Sequence, residues 1–389
     1  MTAKRIEMIK AKLNEKSEKS AIIVTSPHNR QYLTNISTSS GTVIITPDNA
    51  YFFTDFRYIE YAKKAIGDCY KVELYPKEAK KYYNDLLKKD DVKELLYEEN
   101  TITQQGKKGL DDTYAEAYKL VESGGIVEKL RQIKDETEIA NIAKAQNITD
   151  KTFSHILNII SDNINNITET DIAIEIEYFM RKNGAEDKAF DTICVSGKKS
   201  SYPHGEPENI KLSKGFLTMD FGARYNGYCS DMTRTISIGK ADAKMIEIYN
   251  IVKSAQLAAI DCIKAGIETW VPDSAARNII GGAGYGEMFG HGLGHSVGLQ
   301  IHESPGFGKE PKEAEPTEKE GEVKTPEQIE KEKAEKEKRK EYFSENIVIT
   351  VEPGIYIENM YGVRIEDLIV IKNGGYVNLT TSDKNLIEL

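Results

Sequence analysis

Along its first third the chain alternates short apolar runs with longer stretches of helical spacing. SAIIVTS (20–26) is a strand candidate. TVIITPDNAYFFTD (42–55) reads as two β-rich runs around a Pro-Asp-Asn turn, a hairpin signal. YKVELYP (70–76) and KELLYEE (93–99) predict further strands on either side of a helical KEAKKYYNDLLKK (77–89). DDTYAEAYKLVE (111–122) predicts a helix stopped by Gly124-Gly125, and that double glycine marks the expected boundary between domains of residues 1–125 and 126–389. From Ile126 a long helical pattern runs to Ile160. Another helix is expected after Thr168, where Thr168 and Asp171 give a capping-box-like start, and two more near 242–264 and 272–280.

Two hairpin patterns in the second domain carry acids. In FLTMDFGARYNGYCSDMTRTISIG (216–239), Asn226-Gly227 is the strongest short turn signal. Centring the turn there puts Asp220 opposite Thr233 and Asp231 opposite Gly222. Asp220 and Asp231 then share one face as diagonal neighbours, their backbones roughly 7–8 Å apart. Two carboxylates so placed repel unless a cation or a shared proton intervenes, although a solvated pair fits the same pattern. VEPGIYIENMYGVRIEDLIVI (351–371) repeats the theme: Glu352 and Glu366 share a face if the loop between the strands has an odd length, for example Glu358 to Gly362. The register itself is open.

Between these hairpins lies GHGLGHSVGLQIHESPG (290–306), which holds His291, His295 and His302, half of the chain's six histidines. Gly292, Gly294 and Gly298 suggest backbone approaching tightly beside a site. Gly-Leu-Gly separates His291 from His295, so the helical H-E-x-x-H zinc signature is excluded. Carboxylates in excess over imidazole favour manganese, cobalt or zinc.

Composition narrows the class. The chain has 389 residues, 39% of them hydrophobic and 29% charged, which suits a globular protein of two domains. A net charge of −10 argues against a nucleic-acid partner. The four cysteines form no C-x-x-C pair, which suits a reducing compartment. The charged N-terminus and the lack of a long apolar run give no reason to expect secretion or a membrane partner, so a cytoplasmic location is expected. Residues 309–341 have almost no large apolar side chains and read as a charged surface insertion, its second half a solvated helix capped by Thr325, with an active-site flap or partner handle as the alternative.

SGKKSSYPHG, MDFGARYNGYCSDMTRT, GHGLGHSVGLQIHESPG, TVEPGIYI and GVRIED, with the helix-opening LRQIKDETEI, resemble in order and spacing the motifs of the metal-dependent pita-bread peptidases, the Xaa-Pro aminopeptidase and prolidase family. The resemblance implies an α/β (α+β) protein. Its C-terminal pita-bread domain would be an antiparallel sheet covered by helices, behind a smaller α/β domain like the ribonuclease H-like creatinase N-terminal domain. It implies two divalent metal ions per subunit, manganese first, with cobalt or zinc as alternatives. Asp220, Asp231, His295, Glu352 and Glu366 fall on the metal ligands, Asp231 and Glu366 as the bridging pair. Glu352 also falls on the proton-handling glutamate, and His204 and His302 on the oxyanion donors. His291 matches a histidine that shapes the substrate subsite, and Arg364 an arginine that orients acidic ligands. The implied activity is removal of an N-terminal residue from a penultimate proline in short peptides. A dipeptidase restricted to Xaa-Pro and a non-catalytic binding module are the alternatives, and a homodimer is expected.

Overall fold

The computed structural model describes residues 2–17, 19–310 and 340–389. These divide into two compact units, Met1–Arg131 and Gln132–Leu389. The solvated helix and the flap or handle expected within 309–341 fall almost wholly outside the described residues.

The first unit is built on one mixed sheet. Its strands are β1 (Ser20–Val24), β2 (Thr42–Ile45), β3 (Ala50–Thr54), β4 (Lys71–Leu74), β5 (Glu94–Tyr97) and β6 (Lys119–Glu122), in the order β4-β3-β2-β1-β5-β6. The expected hairpin is β2–β3, antiparallel with Ile45 opposite Ala50, and β5 and β6 run parallel to β1. The unit's helices are α1 (Thr2–Lys16), α2 (Pro27–Thr34), α3 (Ile59–Ala65), α4 (Ala79–Lys89) and α5 (Gln104–Tyr114), and α6 (Ile126–Gln132) reaches the division between the units. One expectation fails here. DDTYAEAYKLVE is not a single helix: α5 ends at Tyr114, and Lys119–Glu122 pairs in parallel with β5. Its Ala, Glu, Lys and Leu favour a helix in isolation, but an unfilled edge beside β5 offers ladder hydrogen bonds that outweigh so weak a propensity.

The long helical pattern from Ile126 is also two helices, α6 and α7 (Glu136–Asn163). Asp135 breaks it: its carboxylate accepts hydrogen bonds from the Thr137 and Glu138 amides while Glu138 reaches back to the Asp135 amide, a complete capping box. The box expected at Thr168 is present and opens α8 (Glu169–Lys182). The two later helices are α9 (Ala243–Asp261) and α10 (Val271–Gly282). Among the described residues no helix is long and apolar enough to cross a membrane.

The second unit's sheets are antiparallel, as expected. The strands are β7 (Asp187–Lys188), β8 (Ile193–Ser196), β9 (Gly215–Phe221), β10 (Ala223–Tyr225), β11 (Tyr228–Cys229), β12 (Met232–Ile238), β13 (Val348–Val351), β14 (Gly354–Ile357), β15 (Tyr361–Arg364), β16 (Asp367–Lys372) and β17 (Gly375–Asn378). They pair as β8-β9-β12, β7-β10-β11, β13-β16-β17 and β14-β15. Side-chain alternation decides what each sheet face holds. On β9 and β12, Leu217, Met219, Phe221, Met232 and Ile236 pack with Ile148, Ile156, Ile172 and Ile176 of α7 and α8. Ile349, Val351, Ile355, Val363, Ile365 and Ile369 pack instead with Ile248 and Val252 of α9. Each isoleucine so buried contributes about 1.5–3 kcal/mol. The intervening residues, Asp220 and Thr233 on one sheet and Thr350, Arg364 and Glu366 around the other, therefore turn away from the helices.

Candidate active site

The turn at Asn226-Gly227 fixes the first acid pair. Both residues have positive φ, 48° and 81°, as a two-residue primed hairpin turn demands. From there the register runs through Tyr225 opposite Tyr228 to Asp220 opposite Thr233, as the sequence predicts. Gly222 has a steric role: a Cβ there would sit 1.9 Å from the Ser230 carbonyl oxygen, next to Asp231. The second pair lies in a break between ladders. Val351 faces Asp367 in β13–β16 and Gly354 faces Arg364 in β14–β15. One register runs through both ladders, and continuing either places Glu352 opposite Glu366. The connecting loop is Glu358–Met360, odd in length as required but shorter than the Glu358–Gly362 example, because Tyr361 and Gly362 already belong to β15.

All nine predicted side chains, His204, Asp220, Asp231, His291, His295, His302, Glu352, Arg364 and Glu366, line one cavity of about 1110 Å³. Ligand-type atoms of Asp231, His295 and Glu366 all lie within 4.8 Å of one another. His295 Nε2 is 3.6 Å from Asp231 Oδ2 and 3.5 Å from Glu352 Oε1. Its Nδ1 donates to the Ser296 carbonyl at 3.2 Å, a tautomer that leaves the Nε2 lone pair facing the carboxylates. Asp220 stands slightly apart, its Oδ2 taking a 2.6 Å hydrogen bond from Arg364 Nη2. His302 lies beside His295, their ring centroids 4.2 Å apart, and His204 lies on the exposed wall.

Backbone and hydroxyl contacts hold the acids. Thr233 Oγ1 donates to Glu366 Oε2 at 2.7 Å and accepts from Arg364 Nε at 3.0 Å. The buried Arg234–Asp367 pair, 2.8 Å apart, anchors the chain from behind, with Arg234 Nη1 donating to the Thr233 and Glu366 carbonyls. Thr350 Oγ1 accepts from the His295 amide and donates to Glu352 Oε1. Gly294 permits this: a Cβ would meet the Thr350 carbonyl oxygen at 2.3 Å. Gly298 is confined by a side chain instead of backbone: its Cβ would lie 2.6 Å from the Glu303 carboxylate. The expectation fails at Gly292, whose Cβ would point into open space, so tight packing does not account for that glycine.

Tyr356 and Thr233 are site residues that the sequence reading did not single out. The Tyr356 hydroxyl accepts from Arg364 Nη1 at 2.8 Å and sits 3.0 Å from His291 Nε2. Because His291 Nδ1 faces the Gly292 carbonyl at 2.8 Å, it is the donor there, Nε2 is the acceptor, and the tyrosine proton points at it. Arg364, Tyr356 and His291 thus form one directed chain. Tyr356 looks like an ordinary aromatic in an alternating strand, so pattern gave no signal. Thr233 was signalled as the residue facing Asp220.

Electrostatics sharpen the picture. Burial, then the charges of Asp220 and Glu352, pushes Asp231 well above the usual carboxyl range, and burial with Asp231 as neighbour does the same to Glu366. Burial raises Glu352 to about 7. Burial lowers both His291 and His295 to about 4, so both imidazoles are neutral near pH 7. Burial opposes the charge of Arg364, yet Tyr356, Asp220 and Glu352 hold its proton more firmly than usual. A divalent cation fits this donor set on a further count. Asp220 Oδ1 and Glu366 Oε1 are buried without a hydrogen-bond partner, a costly arrangement unless a ligand completes it.

Known proteins carry the same architecture. Residues 140–373 match the model of metallopeptidase family M24, and residues 5–133 that of the creatinase/prolidase N-terminal domain. The Xaa-Pro dipeptidase of Pyrococcus horikoshii is 34% identical, over 96% of each chain. The solved structure of an Xaa-Pro dipeptidase from Bacillus anthracis superposes with a TM-score of 0.87 at 35% identity, covering 100% of both chains. An X-Pro aminopeptidase structure from Thermotoga maritima gives 0.81 at 30% identity, over 97% of this chain and 99% of that one. With more than half of its length matched by the catalytic-domain model, the chain belongs to metallopeptidase family M24.

Proposed function

We propose that this chain is an Xaa-Pro aminopeptidase, hydrolysing the bond between an N-terminal residue and a penultimate proline in short peptides. The observation that carries the reading is the convergence of Asp231, His295 and Glu366 within 4.8 Å, in a cavity large enough for a peptide end. The reading includes two divalent cations, manganese first, which Asp220, Asp231, His295, Glu352 and Glu366 would hold. Bound there, such cations supply Lewis acidity to an amide carbonyl and acidify a water molecule.

The remaining work falls to the chain's own groups. Glu352, ionised in the cation-loaded site, accepts a proton at Oε and returns it to the leaving proline nitrogen. His204 and His302 donate to the oxygen of the tetrahedral centre. Arg364 fixes the rotamer of Asp220, and Tyr356 orients His291, which burial keeps neutral, at the edge of the substrate subsite. A homodimer in the cytoplasm completes the reading, and the four free thiols are compatible with that compartment.

The second reading is a dipeptidase restricted to Xaa-Pro, favoured by the names of the relatives from Pyrococcus horikoshii and Bacillus anthracis. The test compares Xaa-Pro dipeptides with Xaa-Pro-Yaa tripeptides in the presence of manganese, cobalt and zinc in turn. The aminopeptidase reading expects higher kcat/KM on the tripeptides. Cleavage confined to dipeptides supports the second reading, and inertness toward both overturns the two together.

A further inference from the structure

His295 and His302 flank the closing bridge of one turn, His295 just outside it and His302 just inside. The residue after each closes it: Ser296 and Glu303 form an isolated antiparallel bridge, with the Glu303 amide donating to the Ser296 carbonyl at 2.8 Å. Inside the turn the Gly298 amide donates to the Gln300 carbonyl, and the Gln300 amide donates to Glu303 Oε1 at 3.1 Å. The Glu303 side chain folds under the turn so closely that a Cβ at position 298 would displace its carboxylate. Its other oxygen, Oε2, lies 3.3 Å from Lys134 Nζ, and the two side chains are 6% and 1% exposed.

Lys134 is remote in sequence but well anchored. It falls in the LRQIKDETEI motif, just before the Asp135 cap of α7, and its amide donates to the Asn346 carbonyl at 3.0 Å. Nothing in the reaction described above uses it. A buried ion pair adds little net stability compared with an apolar substitute, yet removing one partner strands the other charge. Its usual return is geometric: two charges that must meet admit few arrangements of the segments carrying them. Here one segment is the start of the α7 cap, and the other is the turn that sets the spacing of the two histidines.

We infer that the Lys134–Glu303 ion pair is a positioning device, which holds the 296–303 turn so that His302 is aimed at the same point as His295. This rests on the reading of His302 as a donor in peptide hydrolysis. The experiment measures kcat and KM on an Xaa-Pro tripeptide, with Tm alongside, for Lys134→Met, Glu303→Gln, the double variant Lys134→Met/Glu303→Gln, and Lys134→Arg. The double variant removes both charges of this pair and guards against a single variant that fails to fold. A loss of about ten- to a hundredfold in kcat with little change in KM is expected for each single variant. The double variant should lose no more than either single one, and Lys134→Arg should recover most of the turnover. Unchanged kcat per folded molecule with only a lowered Tm, or losses that simply multiply in the double variant, overturns the inference. A wild-type protein inert toward every Xaa-Pro peptide would instead overturn the functional reading on which it rests, a different and separately visible result.

Discussion

Removing divalent cations from the site should leave a protein that loses stability as the pH rises above 6.5. In the cation-free chain four carboxylates converge against the single guanidinium of Arg364, and the structure answers by holding protons. Asp231 and Glu366 sit well above the ordinary carboxyl range and Glu352 at about 7. An acid raised on folding binds more protons in the native state, so its stabilising effect is complete below the unfolded pKa and is lost as the pH climbs through the folded one. For Glu352, moving from 4.5 to about 7 corresponds to about 3 kcal/mol at most. His291 and His295 act in the opposite sense. Lowered to about 4, they contribute stability that is present above 6.5 and is lost as the pH falls toward 4. The two effects compete below pH 6.5, and above it only the carboxyls still change. Each carboxyl that is still protonated then costs up to about 1.4 kcal/mol per pH unit, Glu352 only until it ionises near 7, so stability falls between pH 6.5 and 8. Urea unfolding of chelator-treated protein measures this, and the chain's one tryptophan, Trp270, lies in the second unit and reports on it directly. Cation-loaded protein should show no such fall, because its carboxylates are already ionised. Stability of the chelated protein that is flat or rising over that interval refutes the account of the site.

Asp231→Asn should bring turnover on Xaa-Pro peptides to background and reduce the divalent metal that co-purifies, as read by elemental analysis; near-wild-type turnover contradicts the ligand assignment. Tyr356→Phe removes the hydroxyl between Arg364 and His291. At about 1–1.5 kcal/mol for the lost hydrogen bonds, kcat/KM should fall about tenfold with Tm little changed. Replacing residues 311–339 with a short Gly-Ser linker should leave unfolding by urea unaltered, since the cost of loop closure grows slowly with length. Glu310 and Tyr342 are kept because Glu310 accepts a hydrogen bond from Ser274 and Tyr342 bridges to Glu268. Insoluble protein after that replacement would mean that the segment packs against the second unit.

Legibility in the sequence followed how local the deciding interaction was. Asp220 and Asp231 could be placed on one face because Asn226-Gly227 admits essentially one turn, and a known turn propagates its register along both strands. Glu352 and Glu366 lacked such a pin: Glu-Asn-Met-Tyr-Gly offers several loop lengths, and the choice of Glu358–Met360 is made by pairing that reaches back to β13 and β16. The capping box at Thr168 was readable, whereas the one at Asp135 was hidden inside a longer apolar period that could have continued through it. Residues 119–122 were misread because only the neighbouring β5 distinguishes an edge strand from the end of a helix. Tyr356 was invisible for the same reason, its role being defined by Arg364 and His291 and not by its own neighbours along the chain.

The two hairpins solve one problem in the same way. A carboxylate can be buried only if something answers its charge, yet a ligand for a cation must keep a lone pair free. Alternation along a strand separates the two demands. Met219, Phe221, Ile365 and Ile369 face helices and supply the packing energy, while Asp220 and Glu366, one residue out of phase, face the cavity and carry none of it. Each acid is then answered on one oxygen only, Asp220 by Arg364 and Glu366 by Thr233, and its second oxygen is left buried and unpaired. A chain selected for stability alone would close those last hydrogen bonds or replace the acids with apolar residues. That one acid of each pair stops one bond short, in the same cavity, is the physical reason to read the centre as built around a cation.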